Sequence, residues 1–582
     1  MSQKNNILCL FYPTYLNKIF LILKYYIFPY FVFFLITFFL FRDNITLGMQ
    51  FDEVIRINNL IPLINPDAEP YNQSIFNISL LGFTIPLMYK FYLSTALLIP
   101  YIPLFIFHDN LLFGLRFLYG FYFFLSISIL FFILSKKLSY PVSFLTSLLV
   151  ITSPVFYPEV FTGRAHSIQI IFLTLAVYFL YVFFEENRKS GYLFLGTFLF
   201  FIGANIEAFL LWVIAAVFFS SIIIFPQYWK IILESPKYCM ILLLAFILGW
   251  LNFFIYNILS PFSTIKPLYL KIFDPVAYNQ MPVDYVQTAP LLTDVSDKIT
   301  IIFPSFFNRY GFVYCLIIIA LIALYFLSAF QLVKSKQISE FKAYFFPFFC
   351  FCLVFIFILI SPKTTRAGHY VYIIPLFEIS IVTFFLLGEK IFNKKVFSRL
   401  LIISLICLVL MNSFVSSKEI ISIKESKGVD HFSPAIFKLN EYFHNESLQS
   451  DHIVFLEWGM YTQLYFLNKG EFDVNSLVFQ LYDTKSYDER KATLKKYFSK
   501  PYTPGDSDTL YFPLYHEGFD TRNDAILADF KQFVYENNGT LNKISTFYET
   551  NGDEAMSMYE LEHASQFFDY VKKSNNKTMM IA

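Results

Sequence analysis

The sequence predicts a multi-pass α-helical membrane protein with about eleven transmembrane helices and a C-terminal α/β extracytoplasmic domain. Three observations predict it. First, the 582 residues are 57% hydrophobic, 21% aromatic and only 15% charged, with a mean hydropathy of +0.55. A soluble domain has about 25% charged residues, and a disordered chain is polar and poor in aromatics. Second, apolar runs recur at close to the roughly 20 residues that cross a bilayer. Third, the near-neutral total charge hides a division. Residues 416–582 carry 17 Lys and Arg against 25 Asp and Glu, a net of −8, and residues 1–415 carry a net of +9. An acidic tail excludes nucleic acid as a partner, because phosphate contacts need a basic surface.

In chain order, the apolar runs lie near 25–41, 111–134, 141–157, 167–184, 191–206, 208–225, 238–257, 311–333, 344–361, 369–388 and 399–415. A further apolar stretch, 79–107, is ambiguous. The positive-inside rule decides it. With eleven spans and the N-terminus inside, the basic loops at 136–137, 188–189, 230–237, 334–342 and 390–399 all face the cytoplasm. A full span at 79–107 would turn each of them outward. It is therefore expected as a membrane-lying helix, with Pro100 and Pro103 breaking a straight one. The division is then a membrane domain over 1–415 (its outer loop 42–110 holding that helix), a linker over 416–430 and a soluble domain over 431–582. The first run is expected as a retained span, since no clear cleavage site follows it.

The tail reads as alternating elements: a helix over 434–444, a strand over 452–457, a helix after Gly459, and a helix over 488–498. A strand over 508–514, a helix over 524–535 and a hairpin over 544–561 turning at Asn551-Gly552 complete it. That alternation predicts a small open sheet with helices. None of the six cysteines lies in the tail. Cys350 and Cys352 are two apart in an apolar run with no second pair, so they are expected as small apolar side chains and not as a metal site.

Candidate chemistry falls on the outer face. Asp52-Glu53 follows the first span by about ten residues. A carboxylate there can act as a general base or hold a metal, and an ordinary solvated loop pair is the plain alternative. The short turn 158–166 carries Glu159, Arg164 and His166. Arg164 there suits an anionic phosphate or snorkels to a lipid headgroup. Lys363, Arg366, His369 and Tyr370 make a basic outer loop against the positive-inside trend, as phosphate binding would require. Asn205 and Glu207 sit near a hairpin tip, where an acid at membrane depth is costly unless paired. No P-loop, dinucleotide fingerprint, zincin pattern or nucleophile elbow is present, which argues against nucleotide-driven transport.

The order of these features resembles one family. A first span is followed by an outer acidic pair, a membrane-lying segment and a Phe113-Gly114-Leu115-Arg116 junction. Then come the basic turn Lys136-Lys137, Ser153-Pro154 and an outer turn with Arg164. This is similar to the polytopic GT-C glycosyltransferases, in particular protein O-mannosyltransferases, lipid A aminoarabinose transferases and their bacterial relatives. The resemblance covers residues 20–415 and is densest over 45–185. It implies a GT-C-like bundle, a polyprenyl-phosphate-linked sugar as donor, and a lipid, glycan or protein acceptor entering from the outer side. By position it implies Asp52 as the catalytic carboxylate, taking the acceptor proton or binding a divalent cation, magnesium or manganese, that does so. Glu53 would support it. Arg366, with Lys363 and His369, would hold the donor phosphate, and Arg164 would share that role. Relatives carry a second acid after the third span, where this chain reads Arg164-Ala165-His166-Ser167. Glu159 lies five residues earlier, and His166 is a local candidate to replace the acid. No cofactor is fixed by the sequence.

The functional expectation is an inverting hexosyl or pentosyl transferase in a bacterial inner membrane, N-terminus inside and tail in the periplasm. The alternatives are a non-enzymatic lipid or glycan transporter or flippase, with charges deep in the spans, and an envelope assembly scaffold.

Overall fold

The structure is a computed structural model. It describes residues 27–44, 49, 51–54, 57–68, 76–80, 83–90, 93–107, 109–154, 170–206, 210–260, 338–360, 374–391, 394–425, 433–446, 452–456, 458–471, 475–477, 481, 486–500, 508–518, 521–549 and 551–581. Single positions 266, 319, 323, 326 and 330 complete the set. The chain divides into two compact units. One comprises Met1–Asn44, Ser74–Pro100 and Gly114–Ile420, and the other comprises Ile45–Gln73, Tyr101–Phe113 and Ile421–Ala582.

The first unit is a helical bundle. Among the described residues, helices occupy ten of the expected runs: Phe28–Asn44, Leu111–Ser135, Tyr140–Ile151, Ile170–Tyr181, Ser190–Ile206, Leu210–Ile224, Pro236–Gly249, Ile338–Ile360, Ile374–Ile391 and Lys394–Glu425; the eleventh, 311–333, lies outside them apart from positions 319, 323, 326 and 330. Among the described residues, Leu111–Ser135 and Val396–Ser422 are long and apolar enough to cross a membrane. Two bent pairs add up to two more spans, Leu210–Ile224 with Pro226–Leu233 at 97° and Pro236–Gly249 with Leu251–Leu259 at 69°. The first bend falls at Pro226, whose ring fits the first position of a new helix but not a helix interior.

The faces explain the composition. In Phe28–Asn44, Phe33, Thr37 and Phe41 lie four apart and are buried, while Phe31, Phe34, Phe38 and Phe39 are exposed. An outer face of bare phenylalanine suits lipid and not water. Polar residues on these helices bond their own backbone four residues back: Thr37 Oγ1 to Phe33 O at 2.7 Å, Thr146 Oγ1 to Val142 O at 2.6 Å and Ser147 Oγ to Ser143 O at 2.9 Å. This satisfies hydroxyls where water is absent. Gly249 lets two helices touch, since a Cβ there would lie 2.6 Å from Phe201 Cβ. Lys137 meets Glu185 at 2.7 Å, Lys136 meets Glu186 at 3.6 Å, and Tyr228 also donates to Glu185. These contacts bring together loops that the topology expects on one face.

Two expectations change. The stretch 79–107 is not one helix. It begins with an antiparallel sheet, β1 (Phe76–Leu80), β2 (Phe83–Lys90) and β3 (Leu93–Ser94). Pro86 has no N–H to donate. It lies beside a register irregularity, a position strands tolerate. The remainder, Thr95–Phe107, is a 3-10 helix. Leu98, Tyr101 and Leu104 are buried and Ile99 and Ile102 are exposed, a repeat of three that matches three residues per turn. In addition, residues 416–425 of the expected linker are helical, because Lys394–Glu425 continues past the apolar run. Backbone bonding does not end where hydrophobicity does.

The second unit contains the tail sheet. Strands β4 (Val454–Phe455) and β5 (Asn475–Ser476) pair in parallel, and β6 (Thr509–Tyr515), β7 (Leu541–Tyr548) and β8 (Glu554–Glu562) form an antiparallel sheet in the order β6-β8-β7. A parallel bridge between Ile453 and Tyr511 links the two. The helices Tyr487–Phe498, Thr521–Glu536 and Ala564–Ile581 cover this sheet through Leu494, Phe498, Phe530, Phe533, Phe567 and Val571. Ser486 accepts from Glu489 N at 3.3 Å, half of the Ser-x-x-Glu capping pattern. Asp508 accepts from Ser565 N at 2.7 Å and Ser565 Oγ at 2.6 Å, which caps the last helix. The hairpin turns at Asn551-Gly552 as expected.

Lys491 donates to Glu536 and Arg490 to Asp529, tying two of these helices. The Lys491 ammonium, with Gln532, holds the Glu536 carboxyl well below its usual 4.5, at about 2. A lowered folded value stabilises above the ordinary range and is lost as pH falls toward the folded value. We expect the tail to lose about 0.2–1 kcal/mol from this pair on acidification below about pH 4.5. Lys491→Met should remove that part of the loss, measured by thermal unfolding of the full-length protein against pH.

Candidate functional site

Asp52 and Glu53 lie on a one-turn helix, Phe51–Val54, of the second unit. A 3-10 turn, Ile57–Leu60, and a short helix, Ile61–Ile64, follow it. This segment is a built part of the tail's unit and not a solvated loop. Met49, Val54, Ile57, Leu60, Ile61 and Ala68 are buried, and Glu53 is 1% exposed. The plain alternative of an ordinary solvated pair therefore fails for Glu53. The Asp52 side chain lies outside the described residues.

What holds the segment is the helix Trp458–Leu467. Asn58 Nδ2 donates to Thr462 O at 2.8 Å, and Asn65 Nδ2 donates to Lys469 O at 3.0 Å. In return Gln463 Nε2 donates to Met49 O, while its Oε1 accepts from Tyr515 on β6 at 3.4 Å. The helix is closed by a turn through Lys469 and Gly470, both with positive φ (49° and 69°). A Cβ on Gly470 would lie 2.6 Å from Ala68 Cβ, so the segment rests against a bare backbone.

The first unit has its own buried polar group, which reading loops and turns did not find. Glu378, 0% exposed, lies on Ile374–Ile391, and Asn412 lies on Lys394–Glu425. Asn412 Nδ2 is 3.4 Å from both Glu378 Oε1 and Leu149 O, and Ser416 Oγ donates to Thr152 O at 2.8 Å. These side chains serve carbonyls at the end of Tyr140–Ile151, which helix geometry leaves without partners. Arg116, expected at the second-span junction, is also buried. A single acid inside an apolar run was the available signal. Asn205 is buried at the end of Ser190–Ile206 and donates to Gly249 O.

Glu159, Arg164, His166, Glu207, Lys363, Arg366, His369 and Tyr370 lie outside the described residues. Among the described residues, no group of three His, Cys, Asp or Glu side chains is placed to hold a metal. Cys239, Cys350, Cys352 and Cys407 are free thiols.

Replacing Gly470 by Ala should destabilise the protein by about 1–3 kcal/mol, from the positive φ and the lost clearance to Ala68. Hydrogen exchange over 57–68 should speed up with it.

No family model matches the chain, and no curated protein matches it in sequence. Among solved structures, it is similar to the crystal structure of ArnT from Cupriavidus metallidurans bound to undecaprenyl phosphate. The TM-score is 0.51 at 7% identity, over 90% of this chain and 97% of that one. With its apolar helices and their exposed phenylalanine faces, the chain is an integral membrane protein with a fold similar to that of ArnT.

Proposed function

We propose that this chain is a membrane glycosyltransferase that moves a sugar from a polyprenyl-phosphate donor to a lipid, glycan or protein acceptor on the extracytoplasmic face. The observation that carries the proposal is the fold shared along nearly the whole chain with ArnT, a protein solved with undecaprenyl phosphate bound. The outer acidic pair supports it, since Asp52-Glu53 sits on an ordered helix with Glu53 buried.

In this mechanism Asp52 accepts the proton of the acceptor hydroxyl. The freed oxygen attacks the anomeric carbon as its bond to the phosphate oxygen breaks. The electron pair leaves with the polyprenyl phosphate, and the configuration at the sugar inverts. Glu53 holds the short helix and so the direction of Asp52. Arg366, with Lys363, His369 and Arg164, neutralises the charge that grows on the leaving phosphate. Were a divalent cation, magnesium or manganese, to bind, Asp52 would hold it in place of taking the proton itself, and the ion would lower the acceptor hydroxyl's hold on its proton.

A transporter or flippase is the second reading, and Glu378 is the observation in its favour, as a buried acid on an apolar helix. The first test separates the two. Purified wild type and Asp52→Asn are incubated with labelled polyprenyl-phosphate sugars, and transfer and hydrolysis are followed. Label release by wild type, reduced in the variant at least about 100-fold at equal folded yield, is expected. Equal release by both would remove Asp52 as the base, and no release from any donor would favour the transporter.

A second prediction concerns the donor. Arg366→Ala should raise the donor KM or lower kcat by about 10-fold or more, with little change in Tm. Unchanged donor kinetics would remove Arg366 from the site.

A further inference from the structure

We propose that the C-terminal domain serves catalysis as the holder of the Asp52 segment, and that Gln463 is its positioning residue. This rests on the assignment of Asp52 as the base.

Gln463 lies on a helix that is buried almost all round. Met460, Tyr461, Thr462, Leu464, Tyr465 and Phe466 are all buried, and Gln463 itself is 3% exposed. An amide at such a position costs free energy unless both ends are bonded, and an apolar side chain of the same size would fill the space without that cost. Both ends are bonded here. Tyr515 Oη donates to Oε1, and Nε2 donates to the carbonyl of Met49. With the hydroxyl on one side and a carbonyl on the other, the orientation of the amide is determined.

The target of that bond is informative. Met49 stands three residues before Asp52 and just ahead of the helix Phe51–Val54. Fixing its carbonyl fixes the direction from which the chain enters the turn that carries Asp52. The other two bonds, from Asn58 and Asn65, run the opposite way and secure the stretch after the turn. The Asp52 turn is thus held on both sides by one helix more than 400 residues further along the chain. A general base must stand within hydrogen-bond reach of its proton, and a displacement of about 1 Å costs on the order of 100-fold in rate. A four-residue helix cannot hold such a position by itself, because short helices are marginal without tertiary support.

The test uses full-length protein in detergent with a polyprenyl-phosphate sugar, comparing wild type, Gln463→Met and Tyr515→Phe. Gln463→Met keeps the shape and removes both hydrogen bonds. Tyr515→Phe keeps the bond to Met49 and frees only the amide's other end. Initial rates give kcat and the donor KM separately, and hydrogen exchange over 49–60 is read on the same samples. We expect Gln463→Met to lower kcat about 10–100-fold with donor KM within about twofold. Exchange over 49–60 should rise about tenfold or more while that of β6–β8 is unchanged. Tyr515→Phe should move both readouts in the same direction by less. Wild-type kcat in Gln463→Met, or faster exchange across the whole tail in proportion to lost activity, would overturn the positioning role. If Gln463→Met does not fold, Tyr515→Phe decides by the same two readouts. A wild type that neither transfers nor hydrolyses would overturn the transferase reading itself. That failure is distinct, since a holding contact would still show in the exchange of 49–60.

Discussion

Hydrocarbon does not hydrogen-bond, and the first unit is arranged around that constraint. Its backbone is helical in ten of the apolar runs, so that most main-chain groups bond within their own segment. Hydroxyls turn back onto the preceding turn, as at Thr37, Thr146 and Ser147. Carbonyls left over at the end of Tyr140–Ile151 are served by Asn412 and Ser416 from another helix. Phenylalanine faces outward because no penalty attaches to it there. The same constraint gives the polar interior meaning, since each buried polar group has to be accounted for by a partner.

The second unit is built around its sheet. Its sheet buries Leu510, Phe512 and Leu514 from alternate positions of β6, and its helices are capped by Ser486 and Asp508. What is unusual is its parentage. Residues 45–73 and 101–113 belong to it as fully as the tail does. Glu53 is buried in the unit that holds the tail, although the tail lies some 400 residues further along the chain.

Much of the tail was legible. Most of its helices and strands fall where capping residues, alternation and the Asn551-Gly552 turn put them, because those signals are local; the short strand Asn475–Ser476 and the last helix, Ala564–Ile581, were not foreseen. The apolar runs were legible for the same reason. The stretch 79–107 was misread because hydropathy counts apolar residues without their period. Phe83, Thr84 and Ile85 favour a strand, and Leu98, Tyr101 and Leu104 repeat at three. The linker was misplaced because a helix does not stop where its apolar residues stop. Glu53's burial was not legible at all, since its neighbours come from residues some 400 positions away and leave no periodic mark. Glu378 and Asn412 are visible as polar letters inside apolar runs, but that they meet is set by the packing of two helices and leaves no mark in either run.

The discontinuity of the second unit also sets an order of events in the making of the protein. The Asp52 segment leaves the ribosome about 400 residues before the helix that receives it, a wait of roughly 20–80 s at about 5–20 residues per second. Throughout that time every bundle helix between them is being threaded. The segment's hydrogen bonds to that helix and the turn after it form only once residues 458–469 have been made. A turn built this way is held late, and a chain interrupted before residue 458 carries the carboxylate without the helix that holds it.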